Sequence, residues 1–254
     1  MNHNKVFPIF ILFVLLLSTN LFPQDMSPEA GKLYNEGNSM LKAGNYNGAI
    51  GNYDKALAIE KDYRIYYQKG VAQKKSNDLN GAKASLEESI KLKADFEPSY
   101  NALGGVYFSM GNYTEAIKNF EKVLTLSDNS SVEKKVKKNM SLAYAKLGNE
   151  ETSKGNAPKA IEYLTKAVEN DNYDAAYLSL AKLYSELGEW DKSIAASENA
   201  LKYKSKITAG GPYFYMGVSY KGKGDMQKAK EMFEKAKSDA TYRKTAEYEL
   251  SLLN

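Results

Sequence analysis

The sequence predicts an all-α solenoid, in which six helical hairpins stack in a row and one further helix covers the end. Three observations predict this fold. Segments of about 34 residues repeat along most of the 254-residue chain. Each segment has Gly or Asn near its middle, where a helix is expected to end. Its second half spaces its core residues by four and then three, which places them on one helical face.

The first half of each segment predicts one helix and a turn. A small residue is followed seven positions later by a residue that suits the left-handed conformation at a helix end. The six pairs are Gly37 and Gly44, Gly70 and Asn77, Gly104 and Gly111, Gly148 and Gly155, Ala181 and Gly188, and Gly217 and Gly224.

The second half predicts another helix, packed closely on the first. Five residues after the turn comes a second small residue, which lets two helix backbones approach. These residues are Ala49, Ala82, Ala116, Ala160, Ser193 and Ala229. Four residues further on, most segments have a larger apolar side chain that fills the space between the helices. These positions hold Tyr53, Leu86, Phe120, Leu164, Ser197 and Phe233.

The regular spacing is broken once. Residues 131–140 are inserted between the third and fourth segments, and Val132, Val136 and Met140 follow each other in steps of four. The insertion therefore predicts one long helix from about 132 to 154, with Asn129 or one of the next two serines as its N-cap.

Four lysines surround Val136 in this insertion. Lys134, Lys135, Lys137 and Lys138 fit the solvated side of a lengthened helix, since lysine favours helices and is soluble. They also fit an electrostatic contact with anionic lipid, an envelope polymer or an acidic partner. The sequence leaves both interpretations open.

The predicted repeats extend to the end of the chain, where residues 241–253 place Tyr242, Ala246, Leu250 and Leu253 on one face. A helix of this kind is expected to cover the last hairpin. The predicted solenoid occupies residues 25–254, with repeats at about 30–63, 63–96, 97–130, 141–174, 174–207 and 210–243.

The order of small and aromatic residues resembles the tetratricopeptide repeat. The third copy carries the matching residues Tyr100, Leu103, Gly104, Tyr107, Gly111, Tyr113, Ala116 and Phe120. None of the six copies has the proline that usually closes this repeat. The resemblance implies a right-handed superhelix whose first helices line a concave groove, and the groove is expected to receive an extended peptide or a partner helix.

Counting along the first helices gives the candidate groove residues. They combine aromatic and aliphatic side chains with Asn, Lys and Arg, which suits burial of apolar groups and pairing with a peptide backbone or carboxylate. The alternative is that some only cover the interior of the superhelix. The candidates are Tyr34, Asn38, Leu41, Arg64, Tyr67, Val71, Lys74, Asn101, Phe108, Asn149, Lys182 and Phe214.

One known ligand class of the resembled family is disfavoured. Members that capture the acidic C-termini of chaperones use Lys and Asn in the first copy, Asn in the second, and Lys and Arg in the third. Asn38 fits this pattern, but Tyr34 and Gln68 stand where Lys and the second Asn are needed, and Pro98 and Ala102 occupy the third-copy positions.

The N-terminus has the composition of an export signal. Lys5 precedes an apolar run from 6 to 17, and a polar stretch follows. This is typical of a secretory signal peptide at residues 1–24, with Asp25 as the first mature residue. The alternative is an uncleaved anchor formed by residues 6–22. Both predict export of the body to the periplasm or exterior of a bacterium.

Composition argues against enzymatic and nucleic-acid-binding functions. The chain has no Cys, and its single His3 lies in the segment expected to be removed, so thiol and imidazole chemistry is excluded from the body. Of 35 basic residues, only Arg64 and Arg243 are arginine, which disfavours a nucleic-acid reader. We expect a scaffold with no catalytic residue, metal or cofactor and with a protein or peptide partner. Membrane contact is expected only through the N-terminal segment or the lysines of the insertion.

Overall fold

The computed structural model describes residues 26–253 and is all-helical over that range, with no strand. The predicted signal peptide and anchor lie outside the described residues. Thirteen helices follow one another: α1 (Pro28–Lys42), α2 (Tyr46–Ile59), α3 (Tyr63–Lys75), α4 (Leu79–Leu92), α5 (Glu97–Ser109), α6 (Tyr113–Leu126), α7 (Ser130–Ser153), α8 (Ala157–Asn170), α9 (Asp174–Glu186), α10 (Trp190–Lys202), α11 (Gly210–Gly222), α12 (Met226–Ala236) and α13 (Arg243–Ser251).

The helices form six hairpins that stack in chain order. Each odd-numbered helix from α1 to α11 packs against the even-numbered helix after it, and each hairpin packs against the next through adjacent helices. In addition, α3 contacts both α1 and α5, and α9 contacts α11. The first helices of the hairpins therefore form an inner layer, and α13 covers α12 at the end of the stack. This architecture confirms the predicted all-α solenoid.

Each hairpin turns at a residue with a left-handed backbone. Five of these residues are glycines, and the second hairpin has Asn77 with φ of 67°. The next residue then starts the second helix, and its side chain commonly accepts a hydrogen bond from the backbone three residues later. Asn45 accepts from Gly48 N at 3.0 Å, and Asp78 accepts from Gly81 N at 2.9 Å.

The predicted small residues lie where the helices of a hairpin touch. All six of the small residues on the second helices are fully buried: Ala49, Ala82, Ala116, Ala160, Ser193 and Ala229. On the facing helix, a Cβ added to Gly104 would lie 2.6 Å from Cε1 of Phe120. Cβ atoms in folded proteins do not come this close to a neighbouring side chain. Gly37, Gly70, Gly148 and Gly217 face the corresponding large residue as closely. The fifth hairpin has Ala181 and Ser197 at these positions, so a larger residue on one helix accompanies a smaller one on the other.

This contact gives a first testable expectation. We expect Gly104→Ala to lower the free energy of unfolding by about 1–3 kcal/mol, because the added methyl group must displace the Phe120 ring in a close-packed core. The matched control is Gly51→Ala in α2, where an added Cβ meets nothing within 4 Å. That control should stabilise the protein by about 0.5–1 kcal/mol, as alanine does in a helix interior. Chemical unfolding followed by circular dichroism measures both, and equal effects would contradict the packing described.

The ten inserted residues continue as helix in α7, which is 24 residues and about 36 Å long. The side chain of Asn129 caps its start, with Oδ1 accepting from Ser131 N at 2.9 Å and from Val132 N at 3.3 Å. Val136 and Met140 are buried against α6. These contacts hold the inserted turns on the body of the solenoid.

Asp174, at the start of α9, fixes the loop between α10 and α11. It is completely buried, and its Oδ2 accepts backbone hydrogen bonds from Ser205 at 2.6 Å, Lys206 at 2.6 Å and Ile207 at 3.1 Å. Burial by itself raises the pKa of Asp174, but these bonds and one from Ala175 outweigh it and lower the pKa below its ordinary value. The buried carboxylate is thus held in its charged form.

Within residues 26–253, none of the helices combines the length and the apolar character that a membrane span requires.

Candidate binding groove

Lys74, near the end of α3, lies where three cavities of the inner layer meet. The largest, with a volume of about 400 Å³, runs between α3, α5 and the first turns of α7. A second of about 350 Å³ lies on the side of Val71 and Leu86, and a third of about 180 Å³ lies on the side of Phe108. We call the three together the central groove. The largest of the three cavities is lined by Tyr67, Lys74, Glu97, Pro98, Asn101, Ala102, Gly105, Val132, Lys135 and Asn139.

The ammonium group of Lys74 reaches across to α5. A Cβ added to Gly105 would lie 2.6 Å from Lys74 Nζ, so glycine at this position makes room for the charge. Burial lowers the pKa of Lys74, and the neighbouring charge of Lys75 lowers it further. Among the described residues, no carboxylate forms an ion pair with Lys74. This charge is therefore partly desolvated and uncompensated.

The Tyr67 ring forms an aromatic wall of the central groove near α3. Tyr67 contacts the Phe96 ring edge to face, with centroids 5.4 Å apart. Burial raises the pKa of Tyr67, and the nearby charge of Glu97 raises it further. Burial also raises the pKa of Glu97. A bound chain would find an apolar wall here, with one carboxylate at its edge.

The opposite wall belongs to the inserted part of α7. Lys135, Asn139 and Leu142 follow each other in steps of four and three, so they share one helical face. Lys135 and Asn139 line the largest cavity, and Asn139 and Leu142 line the one beside Phe108. The insertion therefore brings a lysine and an amide to the groove that a repeat of regular length would lack.

Family models described as tetratricopeptide repeat match residues 63–96, 96–172 and 212–238. Together they cover more than half of the chain. The chain belongs to the tetratricopeptide repeat family. Proteins of this family are protein interaction scaffolds rather than enzymes.

Several relatives share tetratricopeptide repeats with the chain. It is 26% identical over 145 residues to the TPR repeat-containing protein MJ1428 of Methanocaldococcus jannaschii, covering 56% of this chain and 23% of that protein. It is 34% identical over 79 residues to the photosystem I assembly protein Ycf3 of Synechococcus sp., covering 31% and 42%. The chain spans less than half the length of either relative.

Solved structures of tetratricopeptide repeat proteins show the same fold. The MamA protein of Desulfovibrio magneticus RS-1, from residue 41 to its end, is 22% identical with a TM-score of 0.52, covering 70% of this chain and 94% of that one. YrrB, a TPR protein with an unusual peptide-binding site, is 22% identical with a TM-score of 0.50, covering 77% and 96%. At these identities the likeness extends to the fold alone.

The structure brings four of the predicted groove residues together. Tyr67, Val71, Lys74 and Asn101 line the largest cavity or the one that adjoins it at Lys74. Phe108 lines the cavity on the other side of Lys74 and also a fourth, of about 100 Å³, which Asn149 shares. The repeat positions of this tetratricopeptide fold therefore converge on the middle of the stack.

Other predicted groove residues are engaged within the protein. The Tyr53 hydroxyl donates to Asn38 Oδ1 at 2.8 Å, and Arg64 forms an ion pair with Asp62 at 2.6 Å. Lys182 is exposed and lies 3.8 Å from Glu186. Three apolar candidates are partly buried against the hydrophobic core: Tyr34, Leu41 and Phe214.

The four lysines of the insertion line more than one surface. Lys135 lines the central groove, whereas Lys134 and Lys137 line a separate cavity of about 270 Å³ beside Asn170 and Asp171. Lys137 also forms an ion pair with Glu133 at 2.6 Å, and Lys138 is exposed. Of the four lysines, only Lys135 lines the same cavity as Lys74 and adds its positive charge there.

Sequence reasoning missed Glu97, Gly105 and Asn139 as groove residues. Counting positions within the regular repeats cannot find Asn139, because it lies in the insertion and before the fourth copy. The helical spacing from Lys135 through Asn139 to Leu142 was the available signal, since it continues one face of α7 along the groove.

Among residues 26–253, no group of three or more His, Cys, Asp or Glu side chains is arranged to hold a metal ion.

Proposed function

We propose that this protein is a non-enzymatic interaction scaffold, exported to the bacterial envelope, which binds an extended peptide segment of a partner in the central groove. The observation that carries the proposal is the groove itself. Its cavities join at Lys74 and combine an aromatic wall with amide and ammonium groups that the fold leaves available. Such a mixture suits a peptide, whose backbone needs hydrogen bonds while its apolar side chains need burial.

Support for export comes from the sequence. Lys5 and the apolar run after it have the order of a secretory signal. Sequencing the N-terminus of the protein isolated from the envelope tests this part, and we expect the mature chain to begin at Asp25. A chain that stays in the cytoplasm with residues 1–24 attached would contradict export.

A second candidate function is a membrane-associated adaptor in envelope assembly, secretion or cell division. Residues 6–22 would then remain as an anchor. Cell fractionation separates the two candidates, because an anchored chain sediments with the membranes while a cleaved one stays with the soluble envelope proteins.

Site-specific photocrosslinking in the native host tests binding in the groove. A photoreactive amino acid replaces Asn101, which lines the central groove, or Lys122, which is exposed on α6, a second helix outside the inner layer. We expect one partner to be captured from position 101 and not from position 122. Capture of the same partner at both positions, or only at 122, would place its binding site elsewhere.

A further inference from the structure

The central groove has an excess of positive charge at one point. Lys74 and Lys135, from α3 and α7, line the same cavity, and neither forms an ion pair with another described residue. Asn101 and Asn139 line the same cavity and supply amide donors. The carboxylate of Glu97 also lines the cavity, close to Tyr67, but it forms no ion pair with either lysine.

The surroundings of Lys74 favour an anion over water. Its ammonium lies against the Gly105 backbone in a partly buried place, where a charge has lost part of its hydration. An incoming carboxylate restores charge-assisted hydrogen bonds in an environment of reduced dielectric, where such bonds are stronger than in water.

The shape of the groove indicates which carboxylate it suits. Cavities continue from Lys74 in both directions, toward Val71 and Leu86 on one side and toward Phe108 and Leu142 on the other. A chain that ends at Lys74 would fill only one of them. A chain that passes through fills both with apolar side chains and presents an internal acidic side chain at the middle.

We propose that Lys74 and Lys135, assisted by Asn101 and Asn139, form a site for an Asp or Glu side chain within the extended segment that the groove binds. The inserted turns of α7 complete this site by supplying Lys135 and Asn139. The inference rests on the proposed function, since it names the chemistry of the segment that the groove selects.

The test uses two arrays of random decapeptides, one amidated and one with a free C-terminal carboxylate, probed with the protein isolated from the envelope. We expect bound peptides from the amidated array to carry Asp or Glu at a fixed distance from an aromatic or aliphatic residue. For such a peptide, Lys74→Met and Lys135→Met should each weaken binding about tenfold, as loss of a close charge pair does.

Two matched variants sharpen the result. Glu97→Gln removes the carboxylate that lines the same cavity and repels an incoming acidic side chain, so it should tighten binding of the same peptide severalfold. Lys122→Met removes an exposed lysine of α6 that does not line the central groove, and binding should not change. Circular dichroism establishes that each variant keeps its helical content.

The outcomes separate this inference from the proposed function. Bound peptides without a fixed acidic residue, or unchanged binding by Lys74→Met, would overturn the acidic site while peptide binding stands. Binding only from the free-carboxylate array would assign the site to a chain terminus and contradict an internal side chain. No binding from either array would count against both proposals. Sedimentation with phosphatidylglycerol vesicles that weakens in Lys74→Met would assign the charges to a membrane surface instead.

Discussion

Ala82→Lys is expected to lower the free energy of unfolding by several kcal/mol. Ala82 is fully buried on α4, and its carbonyl oxygen lies 3.2 Å from where a Cβ on Gly70 would be. The two helix backbones therefore meet at this residue. A lysine side chain finds no space there, and a buried ammonium without a partner is strongly unfavourable.

The control for this change lies two residues away on the same helix. Ala84 is exposed, so Ala84→Lys adds the same charge and volume in water and should change stability by less than about 0.5 kcal/mol. Guanidinium unfolding followed by circular dichroism compares the two. A similar small effect for both would mean that the buried face of α4 has been assigned wrongly.

Asp174→Ala is expected to cost about 3 kcal/mol or more at neutral pH. The substitution leaves four backbone N–H groups of the α9 start and the α10–α11 loop without the acceptor that pairs them. Each bond to a charged acceptor is worth about 1.5–3 kcal/mol, although water reaching the opened loop recovers part of it. Asp128→Ala is the control, because Asp128 is exposed in the loop before α7.

The same bonds predict a pH dependence. The folded-state pKa of Asp174 lies below its ordinary value of 3.8, so its contribution to stability is complete above that pH. It is lost as the pH falls through the lower, folded-state pKa. The difference in unfolding free energy between the wild type and Asp174→Ala should therefore shrink below pH 3.8. A difference that stays constant down to the acid limit of folding would mean that the carboxylate charge is not responsible.

Much of the fold could be predicted from the sequence because its determinants are local. The turn residue Asn77, the close contact of Gly104 with Phe120, and the buried Ala82 each follow from spacing within one hairpin. The continuous helix of the insertion likewise follows from the four-residue steps through Val136 and Met140.

The middle of the candidate site was harder to predict because it depends on three helices that are distant in sequence. Lys74 and Asn101 were found by counting repeat positions, but that counting could not show that α7 brings Asn139 to the same cavity. It also could not show that Asn38 already accepts a bond from Tyr53. The role of Asp174 was missed for a related reason. The loop that Asp174 binds has no periodic pattern, so the local sequence does not indicate that three of its backbone N–H groups donate to this carboxylate.

The continuous α7 has a consequence for how the stack comes apart. Its first half packs into the core around Phe120, and its second half packs into the core around Leu164. A short linker of residues 127–129 separates α6 from α7, as short linkers do between the other hairpins. Beyond this linker, however, α7 is one continuous helix that belongs to two cores, so loss of the fourth hairpin would also remove contacts that support the third. The middle of the chain should consequently melt as one block, with independent fraying confined to the two ends.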